Sequence, residues 1–306
     1  MLRPENQWPL IRRAFERRQS QVVADRIDPS EFRGKPGFRS DRINSDLKNI
    51  ERLEAQNEED DVNEPFRVQY RNERSKQRAD VVEAIMYDSA RELFGKDAEI
   101  VLTSEFDDRV NGLDLLVVFR DNASGERRIL GLDFTSAHDD KTIEKKLVRS
   151  LRGLARGKLS TATYIKSRDK QDADEYFSAN GIPRVVIGVS PLSTLRLAKK
   201  WLGEERTMFD PERKVAMLYA VLEQLRSQLL ISREQDKAEG KVSFATRQLQ
   251  QVYDRIDEVI HKIGLPAKEQ KADKTLTRIR DNARSRVIMR GLFTVAQRDV
   301  KRLDAK

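Results

Sequence analysis

Two aspartates lie on neighbouring strands of a predicted hairpin, where they could serve the same chemistry. Asp114 falls one residue into the apolar run LDLLVVF (113–119), and Asp133 lies at the end of the run RILGLDF (128–134). The residues between them, RDNASGE (120–126), are rich in turn formers, so the two runs should pair as an antiparallel hairpin. Neighbouring strands lie roughly 5 Å apart. Two carboxylates held that close raise each other's pKa or recruit a metal ion.

A third carboxylate, Glu83, lies on the buried face of a predicted helix. The apolar residues of 72–94 recur at helical spacing, and Gly95 supplies a stop where a helix C-terminus needs positive φ. Counting by three and four from Glu83 reaches Met86, Tyr87, Ala90 and Phe94. Burying a lone carboxylate costs several kcal/mol unless it is paired or coordinates an ion. We therefore predict Glu83 as a third ligand, with Asp80 as a second choice and Glu92 as a solvated charge.

The elements that must position these acids alternate between strands and helices. A strand at 99–103 precedes the hairpin, a helix at 139–154 follows it, and a further strand at 184–189 leads into a helix at 192–202. The order of helix, three strands, helix and strand requires a sheet covered by helices. The sequence therefore predicts an α/β core over residues 66–203.

The N-terminal residues 1–65 differ in composition from this core. They contain five prolines, so we expect an arm with only two short helices, near 9–23 and 45–56. Residues 1–42 hold 10 Lys/Arg against 6 Asp/Glu, whereas residues 46–64 hold 2 against 8. We interpret this region as a basic arm followed by an acidic linker.

The C-terminal residues 204–306 are predicted to be all helical and basic. Helical patterns cover 212–238, 243–263 and 268–303, and residues 268–306 hold 12 Lys/Arg against 5 Asp/Glu. Basic side chains flank or oppose the apolar stripe of the last helix, which suggests either contacts with nucleic-acid phosphates or a solvated or dimerising bundle. The candidate nucleic-acid contacts are Lys271, Lys274, Arg278, Arg280, Arg284 and Arg286.

Composition excludes several classes of site. The 306-residue chain has mean hydropathy -0.70, no long apolar window and no signal-peptide pattern, so we expect a cytoplasmic protein without membrane contact. It contains no cysteine and two histidines, which excludes disulfides, thiolate zinc sites and cysteine nucleophiles and leaves little for a histidine-based site. Hydrolytic chemistry must therefore depend on carboxylates, lysines and metals that prefer oxygen ligands.

The element order and the three acids resemble the PD-(D/E)XK nuclease superfamily over residues 73–190. The resemblance rests on Glu83, on Gly112-Leu-Asp114 and on Asp133-Phe-Thr135. It implies a restriction-endonuclease-like αβββαβ core, with an N-terminal arm and a C-terminal all-helical region added to it. It also implies that Glu83, Asp114 and Asp133 are catalytic and hold Mg²⁺ or Mn²⁺, with the carbonyl of Phe134 completing the metal shell.

The sequence departs from this family pattern at Thr135. The family places a lysine there, which holds or polarises the attacking water and offsets charge on the reacting phosphate. Some members supply the lysine from the following helix instead, and Lys146 borders the inward stripe of that helix, so we predict Lys146 in this role. Lys141 is the second choice, Lys145 points about 100° further round, and His138 is a lone loop histidine without a specific role.

The leading hypothesis from the sequence is a metal-dependent nuclease that acts on DNA. Thr135 motivates an alternative, in which a nuclease-like fold has lost catalysis and serves as a nucleic-acid-binding or protein-assembly module. A third alternative is a helical scaffold whose C-terminal segments drive homo-oligomerisation or bind a protein partner. The sequence leaves open whether the nucleic acid is DNA or RNA and whether it is single or double stranded.

Overall fold

The computed structural model describes most of the chain from residue 8 to residue 263. The described ranges are 8–21, 26–63, 66–120, 125–135, 140–168, 174–203, 208–209 and 211–263. Within them the protein is a mixed α/β structure, in which a small mixed sheet is covered by helices and is followed by a helical C-terminal region. The α/β class predicted from the alternating apolar patterns is confirmed.

Six strands of the described ranges form two sheets. They are β1 (Ala98–Leu102), β2 (Leu115–Arg120), β3 (Arg127–Thr135), β4 (Ser160–Arg168), β5 (Asp174–Ile182) and β6 (Arg184–Gly188). The larger sheet has the order β1-β2-β3-β6, with β1, β2 and β3 antiparallel and β6 parallel to β3. β4 and β5 form a separate antiparallel pair.

Seven helices of the same ranges surround the sheets. They are α1 (Trp8–Gln21), α2 (Ser40–Asn63), α3 (Phe66–Phe94), α4 (Asp140–Leu154), α5 (Pro191–Leu202), α6 (Pro211–Glu239) and α7 (Phe244–Ile263). The described ranges also contain two shorter turns, a 3-10 turn at Pro29–Phe32 and a π-helical turn at Asp107–Asn111. None of the helices described combines the length and the apolar character that a membrane crossing requires.

Each face of the larger sheet covers its own apolar cluster. Successive strand residues point to opposite faces, so the odd-numbered residues of 115–119 in β2 join one cluster with helices α1, α3, α5, α6 and α7. Leu116 and Val118 join the other cluster, which includes Phe32 and Tyr164. Because both faces are buried, the strands read as continuous apolar runs and not as alternating ones.

The structure differs from the sequence expectation at two places. The β4–β5 pair between α4 and β6 was not predicted, and the expected order αβββαβ is therefore interrupted by an inserted hairpin. The helix predicted near 45–56 extends over 24 residues as α2. It can do so because the prolines of the N-terminal region lie outside it, at positions up to 36 and at 65.

Side chains of α6 make hydrogen bonds to backbone groups on the edge of β6 that faces away from β3. Gln224 accepts a hydrogen bond from Val186 N (2.9 Å) through Oε1, and its Nε2 donates to Val186 O (2.8 Å). Gln228 Nε2 donates to Arg184 O (2.7 Å). A buried, unpaired backbone group costs about 1–3 kcal/mol, so these two glutamines fix the position of the strand that carries Arg184.

Candidate functional site

The two aspartates of the predicted hairpin face each other across β2 and β3. Leu115 pairs with Leu132, and Asp114 N donates to Leu132 O (2.9 Å), so the next opposed pair is Asp114 and Asp133. Asp114 Oδ2 also accepts a hydrogen bond from Phe134 N (2.5 Å). The structure therefore brings these two acids together at one end of the sheet, as the hairpin pattern indicated.

Both carboxylate oxygens of Asp133 contact cations. Lys146 Nζ lies 2.5 Å from Asp133 Oδ1 and 3.1 Å from the carbonyl oxygen of Phe134. Arg184 donates from Nη2 to Asp133 Oδ2, and its Nη1 donates to Asn111 O (3.2 Å). Asp133 is only 2% exposed and Arg184 6%. These two cations offset the cost of burying the carboxylate.

Lys146 reaches the site because α4 packs by the stripe next to it. Leu147 and Leu151 are buried against Val186 of β6. Lys146 directly precedes Leu147, so its side chain leaves α4 beside this buried stripe and reaches the end of β3. Lys145 is exposed, as expected from its position further round the helix. Thr135, which stands where the family pattern has a lysine, is buried. The side chain of Lys141 and all of His138 lie outside the described residues.

Glu83 belongs to a second ionic group, made with arginines of the N-terminal region. Arg26 Nη2 lies 3.3 Å from Glu83 Oε1 and 2.9 Å from Asp108 Oδ2. Arg18 lies 3.8 Å from Glu83 Oε2 and 3.7 Å from Asp80 Oδ2. Glu83 is buried, as the helical spacing predicted, and it is buried as a member of an ion-pair network.

The π-helical turn Asp107–Asn111 holds Asp108 next to this group. The turn is anchored by Asp107, whose carboxylate accepts hydrogen bonds from the backbone N–H groups of Thr163 (2.7 Å) and Tyr164 (2.9 Å) in β4. Asp107 is fully buried. The unpredicted β4–β5 hairpin therefore supports the loop that leads from β1 to Asp114.

The acids of the two groups share one electrostatic environment. Burial raises the pKa of Asp114 well above its usual range, and the nearby carboxylates of Asp108, Asp133 and Glu83 raise it further, while Lys146 lowers it. Among the described residues, Asp114 has no cation within ion-pair distance. Asp114 is of intermediate exposure, whereas Asp133 is 2% exposed, so Asp114 is the more accessible of the two hairpin acids.

The donor atoms of this site suit a hard divalent cation, although they are not gathered as a complete ligand set. The available groups are carboxylate and carbonyl oxygens, which Mg²⁺ and Mn²⁺ prefer. A cation at Asp114 would relieve the repulsion that raises its pKa. No set of three or more Asp, Glu or His side chains among the described residues is arranged to hold a metal ion. In the structure Asp133 contacts Lys146 and Arg184, and Glu83 contacts Arg26.

Comparison with known proteins adds no relative. No family model, curated protein or solved structure matches the chain. The candidate nucleic-acid contacts at the C-terminus, Lys271, Lys274, Arg278, Arg280, Arg284 and Arg286, lie outside the described residues.

Sequence reasoning missed four charged residues of the site and misassigned one. The missed residues are Arg18, Arg26, Asp108 and Arg184. Arg184 had a signal, because it is a charge at the start of the buried run RVVIGV. Glu92 was predicted to be solvated, which is wrong. It accepts a hydrogen bond from Met208 N (3.0 Å) and pairs with Lys214 (2.9 Å).

Replacing Glu83 should change how the stability of the protein depends on pH. Burial raises the pKa of Glu83 from 4.5 to about 7, opposed by Arg26 and supported by Asp108. Between these values the folded state holds a proton that the unfolded state has released, so stability is full below pH 4.5 and falls as pH rises through 7. At about 1.4 kcal/mol per pKa unit, the loss is about 3 kcal/mol.

Urea unfolding in EDTA at several pH values checks this expectation. Glu83→Gln should remove the loss of stability with rising pH. The free energy of unfolding of this variant, relative to that of wild type, should therefore increase as pH rises. Glu16→Gln changes an exposed glutamate of α1 and should keep the wild-type pH profile. Parallel pH profiles for wild type and Glu83→Gln would contradict the assignment.

Gly112 should be intolerant of a side chain because it packs on Arg184. Its φ is +67°, and a Cβ atom would lie 2.8 Å from Arg184 Nη1. Gly240 has φ +68° with open space around it. Both Gly→Ala changes carry a left-handed backbone cost of about 1–2 kcal/mol, and only Gly112→Ala must also displace the buried guanidinium. Thermal unfolding of both variants should show the larger loss at Gly112, and equal losses would argue against a tight Gly112–Arg184 contact.

Proposed function

We propose that the protein is a metal-dependent nuclease that hydrolyses phosphodiester bonds in DNA. The observation that carries the proposal is the position of Lys146. Its ammonium lies against Asp133 and the carbonyl of Phe134, two of the groups that the family resemblance assigns to the metal. A lysine from α4 thus stands at the acids although Thr135 occupies the usual lysine position.

The arrangement of the strands supports the same proposal. The sheet order β1-β2-β3-β6, with an antiparallel meander followed by a parallel strand after α4, agrees with the αβββαβ core that the resemblance implies. The positions of the acids also support the proposal, with Glu83 on α3, Asp114 directly before β2 and Asp133 in β3. We infer a restriction-endonuclease-like core, with the β4–β5 hairpin as an insertion between α4 and β6.

Each residue of the site has a separate role in the proposed reaction. Asp114, Asp133 and the Phe134 carbonyl would hold Mg²⁺ or Mn²⁺, and Glu83 would contribute from α3. When bound, such an ion activates water and stabilises the leaving oxygen. Lys146 offsets the negative charge that develops on the phosphate and orients the attacking water through its ammonium. It is partly exposed, so it can turn from Asp133 towards a phosphate without leaving a buried charge.

Removing Lys146 tests the proposal. Wild type should cut plasmid and linear DNA with Mg²⁺ or Mn²⁺ and should stop in EDTA. Lys146→Met should lower the cleavage rate at saturating DNA by about 100-fold or more, the effect of losing one group that stabilises transition-state charge. Lys199→Met removes an exposed lysine of α5 and should cut at the wild-type rate. Metal-dependent cleavage that is equal in all three proteins would exclude the assigned role of Lys146.

One observation favours a second candidate function, a nuclease-like fold without catalysis that binds nucleic acid or assembles with a protein partner. Both oxygens of Asp133 are already bound by Lys146 and Arg184, so the chain itself supplies the positive charge that a metal would bring. This candidate predicts that titration with Mn²⁺ gives no heat of binding and that no metal supports cleavage. The nuclease proposal predicts heat of binding that is lost in Asp114→Asn.

A further inference from the structure

A line of basic side chains runs along the outside of α4 and continues past its end. Residues 145–158 contain six Lys/Arg and no Asp/Glu. Three of the six lie in α4 at spacings of four and three, which places them on one side of the helix, and a fourth follows in the turn after its end. This α4 ridge consists of Lys145, Arg149, Arg152 and Arg156, all of them exposed.

The ridge faces solvent because the opposite side of α4 is buried. Leu147, Leu151 and Leu154 follow the ridge residues by two positions, which is about 200° of rotation on a helix. These leucines are all at most 7% exposed. The basic side chains are therefore presented outward on a helix that is fixed to β6 by its apolar side.

Three of the four ridge cations have no ion-pair partner among the described residues. No described carboxylate lies within ion-pair distance of Lys145, Arg149 or Arg156. Some exposed cations on other helices do have such a partner, for example Lys237 with Glu234 at 2.5 Å. Neighbouring like charges on a helix face destabilise it by a few tenths of a kcal/mol per pair. Arg152 is the ridge residue in the last turn of α4, where the helix dipole favours a cation.

The ridge lies on α4, the same helix that carries Lys146 of the candidate site. Lys146, next to Lys145 in the chain, reaches Asp133. From Lys145 to Arg152 the helix rises about 10 Å at 1.5 Å per residue. One strand of duplex DNA advances 3.4 Å per phosphate. Laid along a duplex axis, the ridge within α4 would match the axial advance of about three phosphates of one strand.

We infer that the α4 ridge binds the phosphate backbone of duplex DNA and delivers one strand to the acids at Asp114 and Asp133. This inference rests on the proposed function for the identity of the site that it serves. Residues 140–158 contain no aromatic side chain, so the ridge has no platform for stacking unpaired bases. Contacts from lysine and arginine to phosphates carry no sequence information, so the binding is independent of DNA sequence.

Binding of a fluorescent duplex to the full chain in EDTA tests the inference separately from cleavage. Anisotropy titrations at several salt concentrations give the slope of log K against log salt, which changes by about 0.9 for each phosphate contact. The triple change Lys145→Gln, Arg149→Gln, Arg156→Gln should flatten this slope by about two to three and weaken binding at least about 10-fold at moderate salt.

A matched variant separates the ridge from net charge. Arg13→Gln, Arg196→Gln, Lys199→Gln removes the same number of exposed cations from α1 and α5 and should keep the wild-type slope. Equal weakening in both triples would overturn the inference, and so would a ridge triple that binds duplex as wild type does. Tighter binding to a single strand or to vesicles of anionic lipid than to duplex would overturn it as well. Loss of duplex binding in the ridge triple supports the inference even if the wild type does not cleave DNA, so the two proposals fail separately.

Discussion

Asp114→Asn should abolish most metal-dependent DNA cleavage and leave the fold intact. We expect a loss of at least about 100-fold in rate, because replacing even the outer partners of metal ligands costs about 10- to 100-fold. The amide oxygen of asparagine can still accept the hydrogen bond from Phe134 N that Asp114 Oδ2 accepts now. The change also removes a carboxylate whose pKa is raised by burial and by three neighbouring acids, so the free energy of unfolding should stay the same or rise at pH 8.

Plasmid nicking and urea unfolding on the same preparation check both halves of this prediction. Asp254→Asn is the matched control, since Asp254 is exposed on α7 and asparagine can still accept the hydrogen bond from Gln250, and it should affect neither measurement. If Asp114→Asn cut DNA as fast as wild type, Asp114 would not hold the metal. If it lost both activity and stability, its role would be structural.

The hairpin and Lys146 could be predicted from sequence because each depends on local regularity. The turn-rich residues 120–126 between two apolar runs specify antiparallel pairing, and pairing brings Asp114 opposite Asp133. Helical spacing then places Lys146 beside the buried stripe of α4. Both inferences use contacts within about 35 residues, where periodicity determines geometry.

The arginines of the site could not be predicted because their partners are far away in the chain. Arg26 contacts Glu83 and Asp108 across 57 and 82 residues, and Arg184 contacts Asp133 across 51. Hydrophobic patterns report which side of an element is buried and carry no information on which distant charge neutralises an acid. The sequence therefore predicted that Glu83 needs a partner but could not identify Arg18 and Arg26, which lie against it in the structure.

The β4–β5 pair escaped prediction for a different reason. Its strands read STATYIKSR and DEYFSANGI, with polar residues at most positions and without strict alternation. Their pairing also contains register shifts near Thr161 and Ala162. Such strands are held by specific contacts, such as the hydrogen bond from Tyr164 OH to Asp46 (2.8 Å), which join distant parts of the chain and leave no periodic pattern.

Asp133→Ala should destabilise the protein more than any other single change at the site. It removes the carboxylate that Arg184 contacts, and Arg184 is 6% exposed. Breaking a buried ion pair by removing one partner costs about 3–5 kcal/mol, because the other charge stays buried without compensation. Lys146 adds little to this cost, since its side chain is 35% exposed and can turn to solvent. Urea unfolding at pH 8 in EDTA should show the loss.

The double change Asp133→Ala, Arg184→Met should recover most of that stability, because an apolar side chain of similar length replaces the uncompensated guanidinium. If the losses of unfolding free energy from the two single changes simply added in the double variant, Arg184 and Asp133 would not depend on each other.

Recovery of stability in the double variant would have a consequence for the assignment of the active site. Loss of cleavage in Asp133→Ala alone would then follow from the displaced Arg184 as readily as from a missing metal ligand. Asp114→Asn, which leaves both cations and their partner in place, is therefore the variant whose activity decides whether the acids bind metal.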